Sequence, residues 1–299
     1  MLKSSDSSRH CEQEHSRKAN KCGVFSFSNP GTNANLNSWI ETNTSTSSTS
    51  HNDAGFSNDL FHILWDNEKK HFWFHHRCDL IAWAFKRYFG DARSFLEIGC
   101  GNGFVLEYLE ARFPSVSFLG AELFADGLAY AKKRLITTKL IQMDIFESPF
   151  KTDFDVIGLL DVIEHLDNDE SALIKAFDHI RPGGGAIITV PQHPSLWSEK
   201  DIGAFHKRRY TKSGLQNLLE KTGFTTLRMI SFISFLLPAL FISRKLQTGS
   251  RDDELFDEFS IPPLVNAICG KVCRMEGFLI KKGLSIPFGG SLMAIVKKL

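Results

Sequence analysis

With 35 basic against 34 acidic residues in a chain of 299, the formal charge of +1 gives no electrostatic case for binding nucleic acid. Six cysteines, at 11, 22, 78, 100, 269 and 273, form no CxxC pair and no metal-ligand spacing. They read as free thiols in a reducing, cytoplasmic compartment rather than as a disulfide framework.

Residues 1–55 are rich in Ser, Thr and Asn, and Thr42 to Ser50 contains almost nothing else. Such a segment buries too little apolar surface to offset its ordering entropy and reads as a disordered tail. It has no apolar core for a signal peptide, and Asp6, Glu12 and Glu14 argue against a transit peptide. Residues 56–90 read as a helical segment, with Leu60, Phe61, Ile63, Leu64, Leu80, Ile81, Ala84, Phe85 and Tyr88 at helical spacing. Between them, His71, His75 and His76 alternate with Phe72, Trp73 and Phe74. No fixed ligand spacing is met, so packing or a substrate lid is the reading.

Residues 91–230 carry an α/β core. Phe95-Leu96-Glu97-Ile98 is an apolar strand that runs into Gly99-Cys100-Gly101-Asn102-Gly103, a turn whose alternate glycines admit close approach of a ligand to the backbone. Glu97 stands at the strand's carboxyl end, where open parallel sheets place their ligands. A carboxylate there is wrong for a pyrophosphate and right for a cation, which suggests S-adenosylmethionine, with its ammonium and positive sulfur. The nicotinamide fingerprint Gly-x-Gly-x-x-Gly fails, because its last glycine is Phe104 here, and the P-loop Gly-Lys-Ser/Thr is absent.

A helix from Phe104 to Phe113 is expected, ended by Pro114, then a strand Val116 to Glu122. Glu122 is placed to accept from both ribose hydroxyls, with Leu123 beside it. After a helix from Ala125 to Leu135, the strand Leu140 to Ile145 puts Asp144 where it can accept from an adenine amino group, with Ile145 to pack on the ring. Phe154 to Asp161 is the continuous apolar run of a buried parallel strand, and Ala186 to Val190 follows an Arg-Pro-Gly-Gly-Gly turn. Each acid falls at a strand end. The candidate cofactor set is therefore Glu97, Gly99, Cys100, Gly101, Gly103, Glu122, Leu123, Asp144, Ile145 and Asp161.

On these segments, with Asp161 to Leu166, Arg181 to Gly185, His206 to Thr211 and Gly223-Phe224, the chain resembles the class I S-adenosylmethionine-dependent methyltransferases. It is most similar to the small-molecule branch that includes the ubiquinone-pathway O-methyltransferases. The resemblance implies a Rossmann-like, doubly wound sheet of seven strands, parallel but for one antiparallel C-terminal strand, with helices on both faces. It also implies S-adenosylmethionine as cofactor and a small or lipid-like acceptor, methylated at oxygen. In that branch a similar acid-x-x-Glu-His stretch is associated with a divalent metal, but Asp161 stands here where those proteins carry Glu, and no metal is assigned. A nicotinamide-dependent oxidoreductase and a non-catalytic S-adenosylmethionine-binding protein stay open as alternatives.

Methyl transfer from a sulfonium needs alignment, exclusion of water and, for a hydroxyl acceptor, a base. His165, with Glu164 before it, follows the fourth strand and is the best base on position and intrinsic pKa, although Glu164-His165 could equally be an ordinary helix N-terminal turn. His193 and His206 are lesser candidates. Residues 231–290 form an apolar insertion. Ile230 to Ile242 is too short to span a bilayer, and its first part reads as the sixth strand. Beyond Pro238, which should break it, and a polar loop at Gln247 to Glu258, a helix from Pro263 to Lys281 is expected. The basic flanks of these helices suit a lid over an apolar substrate or a peripheral membrane contact, and a helical subdomain packed on the core stands beside those readings. Residues 291–299 close the sheet.

Overall fold

The computed structural model describes residues 24–26, 58–148, 150–151, 154–246 and 261–299. The polar loop at 247–258, and the expected tail apart from 24–26, lie outside them. Strands β1 (Val24–Ser26), β2 (Ser94–Ile98), β3 (Ser117–Glu122), β4 (Lys139–Gln142), β5 (Phe154–Leu160), β6 (Ile180–Pro191), β7 (Thr225–Phe232) and β8 (Ser291–Lys297) form one sheet in the order β1-β4-β3-β2-β5-β6-β8-β7. β8 runs antiparallel to β6 and β7, and every other pairing is parallel.

The seven expected strands are β2 to β8. The addition is β1, which pairs Val24 with Leu140 and Ser26 with Gln142. This departs from the disorder expected of the tail: Val and Phe are strand formers, and β4 would otherwise end the sheet with an open edge.

Helices α1 (Asn58–Glu68), α2 (Phe72–Tyr88), α3 (Phe104–Glu110) and α4 (Ala125–Arg134) precede β5, and α5 (Asp169–His179) follows it. Then come α6 (Glu199–Gly203), α7 (Lys212–Lys221), α8 (Leu237–Leu246) and α9 (Pro263–Lys281). On one face of the sheet Phe95, Phe118, Leu140, Val156 and Ile187 pack with Phe85 and Ile81 of α2, Leu106 of α3, Leu128 of α4 and Ile280 of α9. On the other, Leu96, Leu119, Ile157 and Ile188 meet Leu173 and Ala176 of α5 and Leu215 and Leu219 of α7. Burial on both faces explains the continuous apolar strands.

Several boundaries differ from expectation, and β4 ends at Gln142, short of Ile145. The segment 56–90 is two helices, broken at 69–71, where His71 caps α2 by accepting from the Trp73 N–H. α3 stops at Glu110, short of Pro114. β6 reaches back through its glycines to Ile180. β7 begins at Thr225, because at the sheet edge Thr225 to Arg228 alternate between exposed and half-buried and show no apolar run. Pro238 does not break α8; it occupies the first turn, where its missing N–H costs nothing.

Candidate active site

The first cluster sits at the carboxyl ends of β2, β3 and β4. Gly99, Gly101 and Gly103 all have left-handed φ, at 70°, 52° and 74°. A Cβ on Gly99 would lie 2.6 Å from a methyl of Val162, whereas one on Gly101 would meet nothing within 4 Å. Gly101 therefore borders open space, as a ligand-facing turn requires. Its N–H donates to Glu122 Oε2 at 2.8 Å, and the Phe124 N–H donates to Oε1 at 3.1 Å. Burial still holds the Glu122 carboxyl above its ordinary value.

Glu97 is registered between Gly120 of β3 and Gly158 of β5, so neither neighbouring strand places a side chain beside it. It is 2% exposed, and its Oε2 has no hydrogen-bond partner. Burial, eased by Arg77 and reinforced by Glu122 and Glu68, pushes its carboxyl up to about 8. Asp144 is half-buried and caps the turn Ile145–Glu147 by accepting from the Phe146 N–H at 2.9 Å, and Ile145 is buried beside it. The Leu123 carbonyl accepts from Gln142. Cys100 is buried, and its carbonyl accepts from the Gly103 N–H at 2.9 Å. α1 closes over the loop, its Phe61 carbonyl accepting from Asn102 Nδ2 at 2.8 Å.

The second cluster follows β5. Asp161 has φ 58°, and its Oδ2 lies 2.7 Å from Arg77 Nε of α2 and accepts from Thr189 Oγ1 at 3.0 Å. Glu164 is fully buried, and neither carboxylate oxygen meets a side-chain partner. Burial and the neighbouring Asp161 raise its pKa far above the carboxylate range. His165 Nδ1 lies 3.3 Å from the Phe205 carbonyl, and its ring stands 4.9 Å from that of His206, edge to face. Burial, aided by His206, pushes the His165 imidazole down to about 4. His193 is half-buried with φ 62° and joins neither cluster through a side-chain bond; its N–H donates to the Tyr210 carbonyl.

The segment 206–210 locks onto this loop. Lys207 pairs with Asp167, Arg208 Nη1 lies 3.0 Å from Asp169 Oδ2, and Tyr210 Oη donates to Asp169 at 2.7 Å. His206 Nδ1 lies 2.9 Å from Asp201 Oδ1, and Arg209 Nε holds the same oxygen at 2.7 Å. Sequence reading singled out the run His206 to Tyr210 but not Asp201, Arg77 or Gln192, whose carbonyl accepts from Arg209. The available signal for Asp201 was the Ser198-x-x-Asp201 capping box that opens α6. The metal set implied by the resemblance does not assemble here, because Arg77 and Thr189 hold Asp161; the donors that converge are Glu164, His165 and His206, all within 4.8 Å.

The methyltransferase-domain family profile matches residues 65–228. The chain is 32% identical over 96 residues to the ubiquinone biosynthesis O-methyltransferase of Rickettsia canadensis (strain McKiel), a match covering 31% of this chain and 41% of that protein. To the protein of the same name from Pseudomonas fluorescens (strain SBW25) it is 25% identical over 153 residues, covering 48% of this chain and 65% of the relative. The chain thus spans less than two thirds of the length of either. Among solved structures, the plantazolicin methyltransferase BpumL in complex with SAH superposes with a TM-score of 0.53 at 16% identity, covering 80% of this chain and 89% of that one, a likeness of fold.

Proposed function

The chain belongs to the class I S-adenosylmethionine-dependent methyltransferases, and from that membership we propose that it methylates a small or lipid-like acceptor at oxygen. The observation that carries the reading is the open Gly101 turn flanked by two buried carboxylates, one of which keeps an unpartnered oxygen. Glu97 receives the cofactor's ammonium through Oε2, Glu122 the ribose hydroxyls, and Asp144 the adenine amino group over Ile145. Gly99, Cys100, Gly101, Gly103 and Leu123 shape the wall, and Asp161 borders the sulfonium end.

In the transfer the S–CH3 bond breaks, an O–CH3 bond forms in line, and the acceptor hydroxyl gives up its proton. A carbonyl can only accept, so the contact to Phe205 puts a proton on His165 Nδ1 and the lone pair on Nε2. His165 takes the proton or orients the hydroxyl, with Glu164 beneath it. His76 of α2 ties α9 to the same end of the sheet: Glu276 of α9 lies 3.0 Å from His76 and accepts from the Ile233 and Ser234 N–H groups.

The lipid-like character rests on α8 and α9. Phe241, Ile242, Leu264, Ile268 and Phe278 are exposed, and every exposed charge on α9 among the described residues is basic. Such a face suits an apolar acceptor delivered from an anionic membrane surface. Among the described residues no helix is long and apolar enough to cross a membrane. The test is transfer of labelled methyl from S-adenosylmethionine into cell extract. Label in the solvent-extractable, small-molecule fraction is expected, in a base-stable ether linkage; label confined to protein or nucleic acid would overturn the reading.

A further inference from the structure

We propose that Asp201 is a positioning residue: acting through the strap 204–208, it fixes the tautomer that makes His165 a proton acceptor. The inference rests on the base role proposed for His165. Asp201 is 1% exposed and lies in α6, just before the strap. The strap grips the turn Ile163–His165 and the residues after it at several points. The Phe205 carbonyl lies 3.3 Å from His165 Nδ1, and the Lys207 N–H donates to the Glu164 carbonyl at 2.8 Å. Arg208 Nη2 donates to the Leu166 and Asp167 carbonyls, both at 2.9 Å.

The strap needs an anchor to keep this shape. Phe205 sits at φ 58°, a left-handed conformation that persists in a non-glycine residue only where its surroundings impose it. Its side chain is 41% exposed, so burial supplies only part of the hold. The next residue supplies the rest. The His206 N–H donates to the Asp201 carbonyl at 2.8 Å, and its Nδ1 lies 2.9 Å from Oδ1. Arg209 Nε donates to the same oxygen at 2.7 Å, and the Ser198 N–H donates to Oδ2 at 3.0 Å. Both oxygens are thus used as acceptors, a demand that a carboxylate meets and an amide does not. With Phe205 pinned left-handed, its carbonyl faces His165, keeping the proton on Nδ1 and the lone pair on Nε2. Once the anchor is lost, the Phe205 peptide relaxes, the carbonyl leaves the ring and the other tautomer becomes available. In that form Nε2 already carries a proton and cannot take one from a hydroxyl.

The test reads the His165 ring directly, by nitrogen NMR of full-length protein carrying isotopically labelled histidine, with His165 assigned by its absence from His165→Gln. Held down to about 4 by burial, the ring is neutral at pH 7, so the spectra distinguish its two neutral tautomers. Wild type should show the Nδ1–H form. Asp201→Asn should give a mixture of both. Phe205→Val should do the same, because it leaves the Asp201 ion pair intact but makes the left-handed conformation costlier. Phe205→Gly, which takes that conformation freely, should restore the Nδ1–H form in the Asp201→Asn background. In transfer of labelled methyl into cell extract, Asp201→Asn should lower the rate about 10- to 100-fold at saturating S-adenosylmethionine. Its dissociation constant for S-adenosylhomocysteine should stay within threefold. An Nδ1–H ring in both Asp201→Asn and Phe205→Val overturns the proposal, and so does a mixture that Phe205→Gly leaves unchanged. A shifted tautomer beside undiminished transfer, or beside no transfer by wild type, upholds the grip of Asp201 on His165 and defeats the functional reading it serves.

Discussion

The two ends of the site solve the same backbone problem differently. At the end of β2 the three left-handed positions are all glycine, so the turn forms without strain. Beyond β5 and β6 the left-handed positions fall on Asp161, His193 and Phe205, where each costs on the order of 1–3 kcal/mol. That conformation persists because ion pairs brace it: Arg77 on Asp161, Arg209 on Asp201 and Arg208 on Asp169. The turn after β2 is thus preformed by local sequence. The loop after β5 is a strained arrangement held by distant residues, and strain of this kind clusters where chemistry is done.

The comparison is broken first at Glu122. It accepts from the Gly101 N–H, and its proposed role is to accept two ribose hydroxyls. Glu122→Ala should weaken S-adenosylhomocysteine binding by about 2–4 kcal/mol, from two lost charge-assisted bonds. Calorimetry on the folded variant checks this, and an unchanged dissociation constant would show that Glu122 does not hold the ribose.

In the loop after β5 the counterpart is His165. His165→Ala should lower turnover about 100-fold while leaving the cofactor's dissociation constant within a few-fold, the opposite split from Glu122→Ala. The imidazole is held down to about 4 by burial, so its lone pair stays available to well below neutrality. The acidic limb of kcat/KM should therefore fall near 4, not near the ordinary 6.5. For stability the sign runs with pH: between about 6.5 and 4 the unfolded chain binds the proton and the folded one does not, so stability drops as pH falls through that window. Near-normal turnover of a folded His165→Ala protein would leave alignment alone as the mechanism.

The same contrast explains what could be read from the chain. The placement of Glu97, Glu122 and Asp144 at one sheet edge was legible because a parallel sheet delivers its strand ends there, so each apolar run announces its own acid; their roles toward the cofactor are proposals. Pro263 to Lys281 was legible from its apolar content and its glycine stop. The pairing of His206 with His165 was not, because nothing local in either segment encodes a contact across some 40 residues. The partner of Asp161 was hidden for the same reason: Arg77 lies in a helix that read only as packing. β7 hid in an edge strand whose solvent side is polar, and β1 in three residues of an otherwise polar tail.

The smallest expected effect is a count of protons. Glu97, pushed up to about 8 by burial, is neutral in most unliganded molecules at pH 7. A bound ammonium returns the carboxyl to its charged form, because an opposite charge within a few ångströms lowers an acid's pKa. Binding at pH 7 should then release close to one proton, about 0.9 if ionisation is complete in the complex. Release should fall toward zero above about pH 9, where the free carboxyl is already charged. The value follows from calorimetric enthalpies measured in buffers of different ionisation enthalpy. Glu97→Gln should abolish the release and weaken binding more modestly than Glu122→Ala, since the amide still accepts a hydrogen bond from the ammonium. An equal release from the Glu97→Gln protein would move the titrating group elsewhere and reduce the cradle to one working carboxylate.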